Sequence, residues 1–197
     1  LYRDDYQGEF LAEFAKKQLK VKSVAVFYDN DDYGIGLKNA FVAEADKQGL
    51  EVVGEEAYVR EQTFDYSVGL DKFAARNPDI IFVSGLYSEA ATIAKQARSK
   101  GISAVFLGGD GVDSPGFIEI AGEAAEGMIV TSPFVFTEEN EKAVRFRDVY
   151  REHNGYDPDT WAALSYDAVM MAAEAIRAVG VDREKIREWF AGRNSAE

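Results

Sequence analysis

The sequence contains no cysteine, a single histidine, four prolines and two tryptophans among its 197 residues. Without cysteine there is no disulfide, no thiolate nucleophile and no cysteine metal site, and the absence suits oxidising and reducing compartments alike. Basic residues are also scarce: 22 Lys and Arg stand against 35 Asp and Glu, a net charge of −13. Neutralising phosphates needs the opposite balance, so nucleic acid and anionic membrane surfaces are excluded as partners. No run approaches the roughly 18 to 20 consecutive apolar residues that span a bilayer. The opening Leu1-Tyr2-Arg3-Asp4-Asp5 has neither the basic nor the apolar region of a secretory leader.

What is present is a full core: 47% of positions are hydrophobic. Short β-branched runs alternate with amphipathic stretches, the pattern of βαβ units feeding a parallel sheet. Asp4 and Asp5 cap a first helix carrying Phe10, Leu11, Phe14 and Leu19, and Ser23–Tyr28 reads as a buried strand. Further strands are expected near 51–58, at Ile80–Val83, at Ala104–Leu107 and at Met128–Thr131, with helices near 35–48, 65–76, 88–100 and 114–121 between them. The expected architecture is a doubly wound five-stranded parallel sheet, flavodoxin-like, in the order 2-1-3-4-5. After Pro133 the strands stop, and helices near 138–153, 159–179 and 182–190 follow one another. The chain is therefore divided into an α/β part over 1–134 and a helical part over 135–197.

Ligands of open parallel sheets bind outside the carboxyl ends of the strands. The loops there are Asp29-Asn30-Asp31-Asp32-Tyr33-Gly34-Ile35-Gly36, Ser84-Gly85-Leu86-Tyr87-Ser88 and Gly108-Gly109-Asp110-Gly111. Tyr33, Tyr87 and Asp110 thus face one rim among small residues, which suits a ligand with an apolar part and a cation. The bland alternatives are two rim tyrosines that pack on neighbouring loops and a turn-forming aspartate. Asp110 resists that reading better, because a carboxylate among three glycines has little to pack on.

Sharper motifs fail on inspection. Gly34-Ile35-Gly36 lacks the third glycine of a dinucleotide turn, Asn39 standing in its place, and no cofactor loop is expected. A calcium loop starting at Asp29 needs Asp or Asn where Tyr33 stands and Glu where Ala40 stands. Asp29, Asp31 and Asp32 read as a solvated acidic loop at a helix N-terminus, with no metal assigned. A phospho-receiver needs an aspartate where Ser84-Gly85 ends the third strand. The lone His153 lies at a helix end with no nucleophile beside it, and no Gly-x-Ser-x-Gly elbow occurs, so no catalytic residue is assigned.

Asp5-Tyr6-Gln7-Gly8, Tyr33-Gly34-Ile35-Gly36, Asn77-Pro78-Asp79, Tyr87, Gly108-Gly109-Asp110-Gly111, the run Ala121–Gly127 and Tyr166-Asp167-Ala168 are collinear along the chain. As a set they resemble the leucine/isoleucine/valine-binding proteins, type I periplasmic solute-binding proteins of ABC importers. The resemblance implies an amino-acid ligand whose side chain Tyr33 and Tyr87 would line and whose α-ammonium Asp110 would pair with. It also implies an ABC permease as partner of the full-length protein and a periplasmic or lipid-anchored extracellular location. Family members have two similar lobes; this chain matches the second lobe plus helices that return to the first, without the first-lobe sheet. A ligand-sensing or interaction domain of a receptor or regulator is the alternative, and a flavodoxin-like enzyme a weaker one.

From Trp161 to Gly180 only Ser165, Asp167, Glu174, Arg177 and Gly180 interrupt an apolar run. Such a helix needs cover on more than one side. The expectation is a homodimer or an exchanged segment over Trp161, Leu164, Val169, Met170 and Ile176.

Overall fold

The computed structural model describes residues 3–193; Leu1, Tyr2 and residues 194–197 lie outside the described part. The elements run α1 (Asp4–Lys17), β1 (Ser23–Asp29), α2 (Asp32–Lys47), β2 (Glu51–Tyr58), α3 (Ser67–Arg76), β3 (Ile80–Ser84), α4 (Tyr87–Ser99), β4 (Val105–Gly108), α5 (Pro115–Ala121), β5 (Ile129–Val130), α6 (Glu141–Asn154), α7 (Thr160–Val179) and α8 (Arg183–Ala191). All strand pairs are parallel, and the sheet order is β2-β1-β3-β4-β5. The fold is the doubly wound α/β arrangement expected from the sequence.

Alternation along the strands sorts the core into two faces. Val24, Val26, Ile80, Phe82 and Leu107 pack with Leu11, Leu37 and Phe41 of α1 and α2. Ala25, Phe27, Ile81, Val83 and Phe106 pack with Leu70, Phe73, Ile93 and Phe117 of α3, α4 and α5. Because both faces are covered, β3 is buried at every residue, which is why these strands read as continuous apolar runs. α1 lies unusually near α2: a Cβ at Gly8 would stand 2.7 Å from the carbonyl oxygen of Leu37.

Three local expectations need correction. Arg3, not Asp4 or Asp5, is the N-cap of α1, and it makes no side-chain cap bond. The two acids sit in the first turn, where their charge complements the helix N-terminus. α3 starts at Ser67 rather than near 65, because the Asp65 carboxylate accepts the Ser67 amide at 2.9 Å and stays outside the helix. β5 keeps only Ile129 and Val130: the Met128 amide turns back to Ala125 O, while the Thr131 amide still reaches Gly108 O of β4 at 3.2 Å.

The chain divides into two compact units that meet in sequence between Pro133 and Phe134. In the second, Phe146 anchors a group of rings, 4.9 Å between centroids from Tyr166 and 5.8 Å from Tyr150. Trp161, Val169, Met170 and Ile176 of α7 are exposed, Val169 to 68%. Among the described residues no helix is long and apolar enough to cross a membrane.

Asp79 fastens the start of β3 to that of β1. Its Oδ2 accepts the amides of Lys22 at 2.8 Å and Ser23 at 3.0 Å, while its own amide donates to Ser23 Oγ at 3.1 Å. The amide of Lys22 first, then that of Ser23, holds the carboxyl below its ordinary range. A group depressed in this way stabilises the fold above the ordinary carboxylate pKa, and the contribution is lost as pH falls through the folded value. Asp79→Ala is expected to lower the unfolding free energy at pH 7 by about 1 kcal/mol, discounted for an exposed site. Urea melts of the two proteins should converge as the pH falls below the ordinary carboxylate range; a difference independent of pH would contradict the assignment.

Candidate functional site

The site grows from the ends of β1, β3 and β4. Asp31 caps α2, its carboxylate accepting the Gly34 amide at 2.7 Å. α2 begins against the end of β1 because residue 34 has no side chain: a Cβ there would lie 2.3 Å from the Asp29 carbonyl oxygen. Ser84 Oγ donates to the Gly34 carbonyl at 2.8 Å and fixes this start against β3. Tyr33, in the first turn, is thereby aimed at the loop after β4.

There the structure brings two of the three expected residues together. Tyr33 Oη donates to Asp110 Oδ1 at 3.0 Å and accepts the Gly111 amide at 3.2 Å. Burial, then the charge of Asp110, pushes the Tyr33 phenol far above its ordinary range, so it remains a neutral donor. Asp110 opens a single 3-10 turn, Asp110–Val112, and is 6% exposed. Its amide donates to Gln7 Oε1 at 3.1 Å, and Thr131 Oγ1 donates to the same oxygen at 2.7 Å. Tyr87 is not in this network. It is 38% exposed, and its ring lies over α5, where a Cβ at Gly116 would meet Cε2 at 2.6 Å.

Gln7 escaped the sequence reading although a signal existed. It is a polar residue in line with Leu11 and Ala15 at four-residue spacing, hence on the buried face of α1. A cavity of about 370 Å³ between α1 and β5, lined by Phe10, Phe14, Ile129 and Pro133, touches the network at Gln7 and Thr131.

The acidic loop differs from expectation. Asp29 is 3% exposed rather than solvated, because β1 carries it under the start of α2. Arg60 lies beside it, Nε 3.5 Å from Asp29 Oδ2, and binds Asp31 Oδ2 at 2.9 Å through Nη2. Burial first, then the charge of Asp31, raises the Asp29 carboxyl above its ordinary value, with Arg60 opposing. Next to it the buried Tyr58 hydroxyl has no hydrogen-bond partner among the described residues.

A family model described as periplasmic binding protein matches residues 2–192. The chain belongs to that family. The likeness to leucine/isoleucine/valine-binding proteins expected from the sequence is borne out by its relatives. It is 39% identical to the leucine binding protein LivK of Thermotoga maritima, with a TM-score of 0.86 over 95% of this chain and 54% of that one. It is 32% identical to the branched-chain amino acid transporter substrate binding protein LivJ of Streptococcus pneumoniae, solved with isoleucine, again with a TM-score of 0.86, covering 95% of this chain and 53% of that one. An amino acid binding protein of Pseudomonas aeruginosa is 30% identical over 95% of this chain and 50% of its own length. The chain thus spans about half the length of these relatives.

A Cβ at Gly85 would lie 1.8 Å from Tyr58 Oη, so the loop after β3 passes the ring only because residue 85 is glycine. Gly85→Ala is expected to cost about 2 kcal/mol of stability through overpacking. Tyr58→Phe removes both the obstruction and a buried hydroxyl without a partner, and should stabilise by about 1 kcal/mol. In the double variant most of the alanine penalty should vanish. Additive effects in chemical denaturation would show that the two groups do not meet.

Proposed function

We propose that this chain is the ligand-binding lobe of the substrate-binding component of an ABC importer for branched-chain or related amino acids. The observation that carries the reading is the Asp110 carboxylate, buried at the carboxyl edge of the sheet with Oδ1 held by Tyr33. A fixed carboxylate of this kind suits an α-ammonium, because pairing offsets the cost of desolvating the cation and no reorganisation is required. Tyr33 and Tyr87 then flank the aliphatic side chain, Tyr87 as the more open wall. The role is binding without chemical turnover. A periplasmic setting and a permease partner follow for the whole polypeptide if it works as its relatives' names describe.

The sensing alternative uses the same contacts and differs in its partner; neighbouring permease genes would separate the two. The relatives lend no support to a homodimer or exchanged segment over α7, and the exposed face does not say what covers it.

In the 197-residue chain alone the carboxylate has a single wall around it, so pairing is partly screened. Calorimetry with leucine, isoleucine, valine and phenylalanine should give a Kd on the order of millimolar or no detectable binding. In the full-length polypeptide Asp110→Ala should cost several kcal/mol of affinity, and Tyr33→Ala or Tyr87→Ala about 1 to 3 kcal/mol each. Tight binding that survives Asp110→Ala would remove this residue from the site.

A further inference from the structure

We propose that Gln7 is the positioning residue for Asp110, holding the main chain of the glycine turn so that the carboxylate meets its ligand. The proposal rests on the reading of Asp110 given above and extends it to a residue in another element.

Asp110 stands among Gly108, Gly109 and Gly111, which bring no side chains that could wedge the turn in place. Two polar contacts replace that packing. Tyr33 holds the side chain and the following amide, and Gln7 Oε1 holds the Asp110 amide itself at 3.1 Å. Losing the first frees the carboxylate; losing the second frees the backbone that carries it.

Gln7 is suited to this because it cannot drift. It is 4% exposed, and its neighbours Gly8, Leu11, Ala12 and Ala15 form the buried face of α1. The helix cannot slide on α2, since Gly8 already lies against the Leu37 carbonyl and the Phe41 amide. The same Oε1 accepts Thr131 Oγ1, so one oxygen joins α1 to segments 103 and 124 positions away in the chain. Thr131 lies two residues before Pro133, where the chain leaves the first compact unit. The position of the ligand-facing turn and the exit from the sheet are therefore set by one carboxamide.

The chemistry also explains why an amide rather than an acid suits the place. The surroundings are negative: Asp4 has its carboxyl raised by burial and then by the charge of Asp110. A neutral oxygen accepts both donors without repelling Asp110 or competing with it for a cation.

The test uses the full 197-residue chain labelled with ¹⁵N, in wild type, Gln7→Leu, Gln7→Glu, Asp110→Asn and the Gln7→Leu/Asp110→Asn double variant. Amide hydrogen exchange needs no ligand, and a leucine titration followed by NMR reads weak affinity. Gln7→Leu should speed exchange at Asp110 by about tenfold or more while the β3 amides of Ile81 and Phe82 stay protected. Gln7→Glu keeps the acceptor oxygen but adds a charge that Asp110 repels, so protection at Asp110 should return in part, above that of Gln7→Leu. Leucine affinity should fall about fivefold or more in Gln7→Leu, and the double variant should bind no worse than Asp110→Asn alone. Unchanged exchange at Asp110 in Gln7→Leu, unrestored protection in Gln7→Glu, or additive losses in the double variant overturns the role of Gln7 and leaves the reading of Asp110 standing. Leucine binding that is unaffected by Asp110→Asn overturns that reading and the role of Gln7 with it. If Gln7→Leu does not fold, Thr131→Val removes the other bond to the same oxygen; protection at Asp110 should then persist, and its loss would assign the turn to Thr131 instead.

Discussion

At the carboxyl edge of the sheet the main chain of α2 rests directly on the last carbonyl of β1, a contact open only to glycine at position 34. The rest of the site depends on that approach. A side chain there would push the helix start outward, Ser84 would lose the Gly34 carbonyl, and the Tyr33 hydroxyl would leave Asp110 and the Gly111 amide together. The Tyr-Gly pair in the first turn of α2 is therefore one device: the glycine supplies the distance and the tyrosine uses it.

Much of the fold was legible because burial on both faces leaves a plain trace in sequence. Ile80–Val83 could be read as a buried strand from its unbroken apolar character, and the order of the strands followed from βα alternation and crossover handedness. β5 was overestimated at its start because the rule reads side chains, while the Met128 amide is diverted to Ala125 O in a turn that no local pattern reveals. Of the candidate site, Tyr33 and Asp110 were legible from the rule that ligands sit beyond strand ends. Their mutual hydrogen bond was not, since it joins residues 77 positions apart. Asp29 was hidden because polarity was taken as a sign of solvent, and Gln7 stood only as part of a motif; both are buried and held by distant partners, in one case Arg60 and in the other Asp110.

The acid excess also has a local shape. Asp4 and Asp110 share one part of the carboxyl edge, while Asp29, Asp31 and Glu89 gather around Arg60 in another. The second group sets one cation, Arg60, among its acids. The first shows none in its hydrogen-bond network among the described residues. At the Asp110 turn the negative charge is therefore left without an internal cation, and a low-dielectric wall focuses its attraction for a positive group.

The order of the strands bears on how the molecule folds. The central pair, β1 and β3, joins residues 56 positions apart through the Asp79 clasp, while β2, made between them, ends on an outer edge. The polypeptide must complete a helix, strand and helix before the middle of its core can close, so the return of β3, rather than local helix growth, is the expected slow step. Changes at that junction are expected to slow refolding, whereas changes at the short, late-joining β5 mainly hasten unfolding, and the two arms of a chevron plot distinguish them.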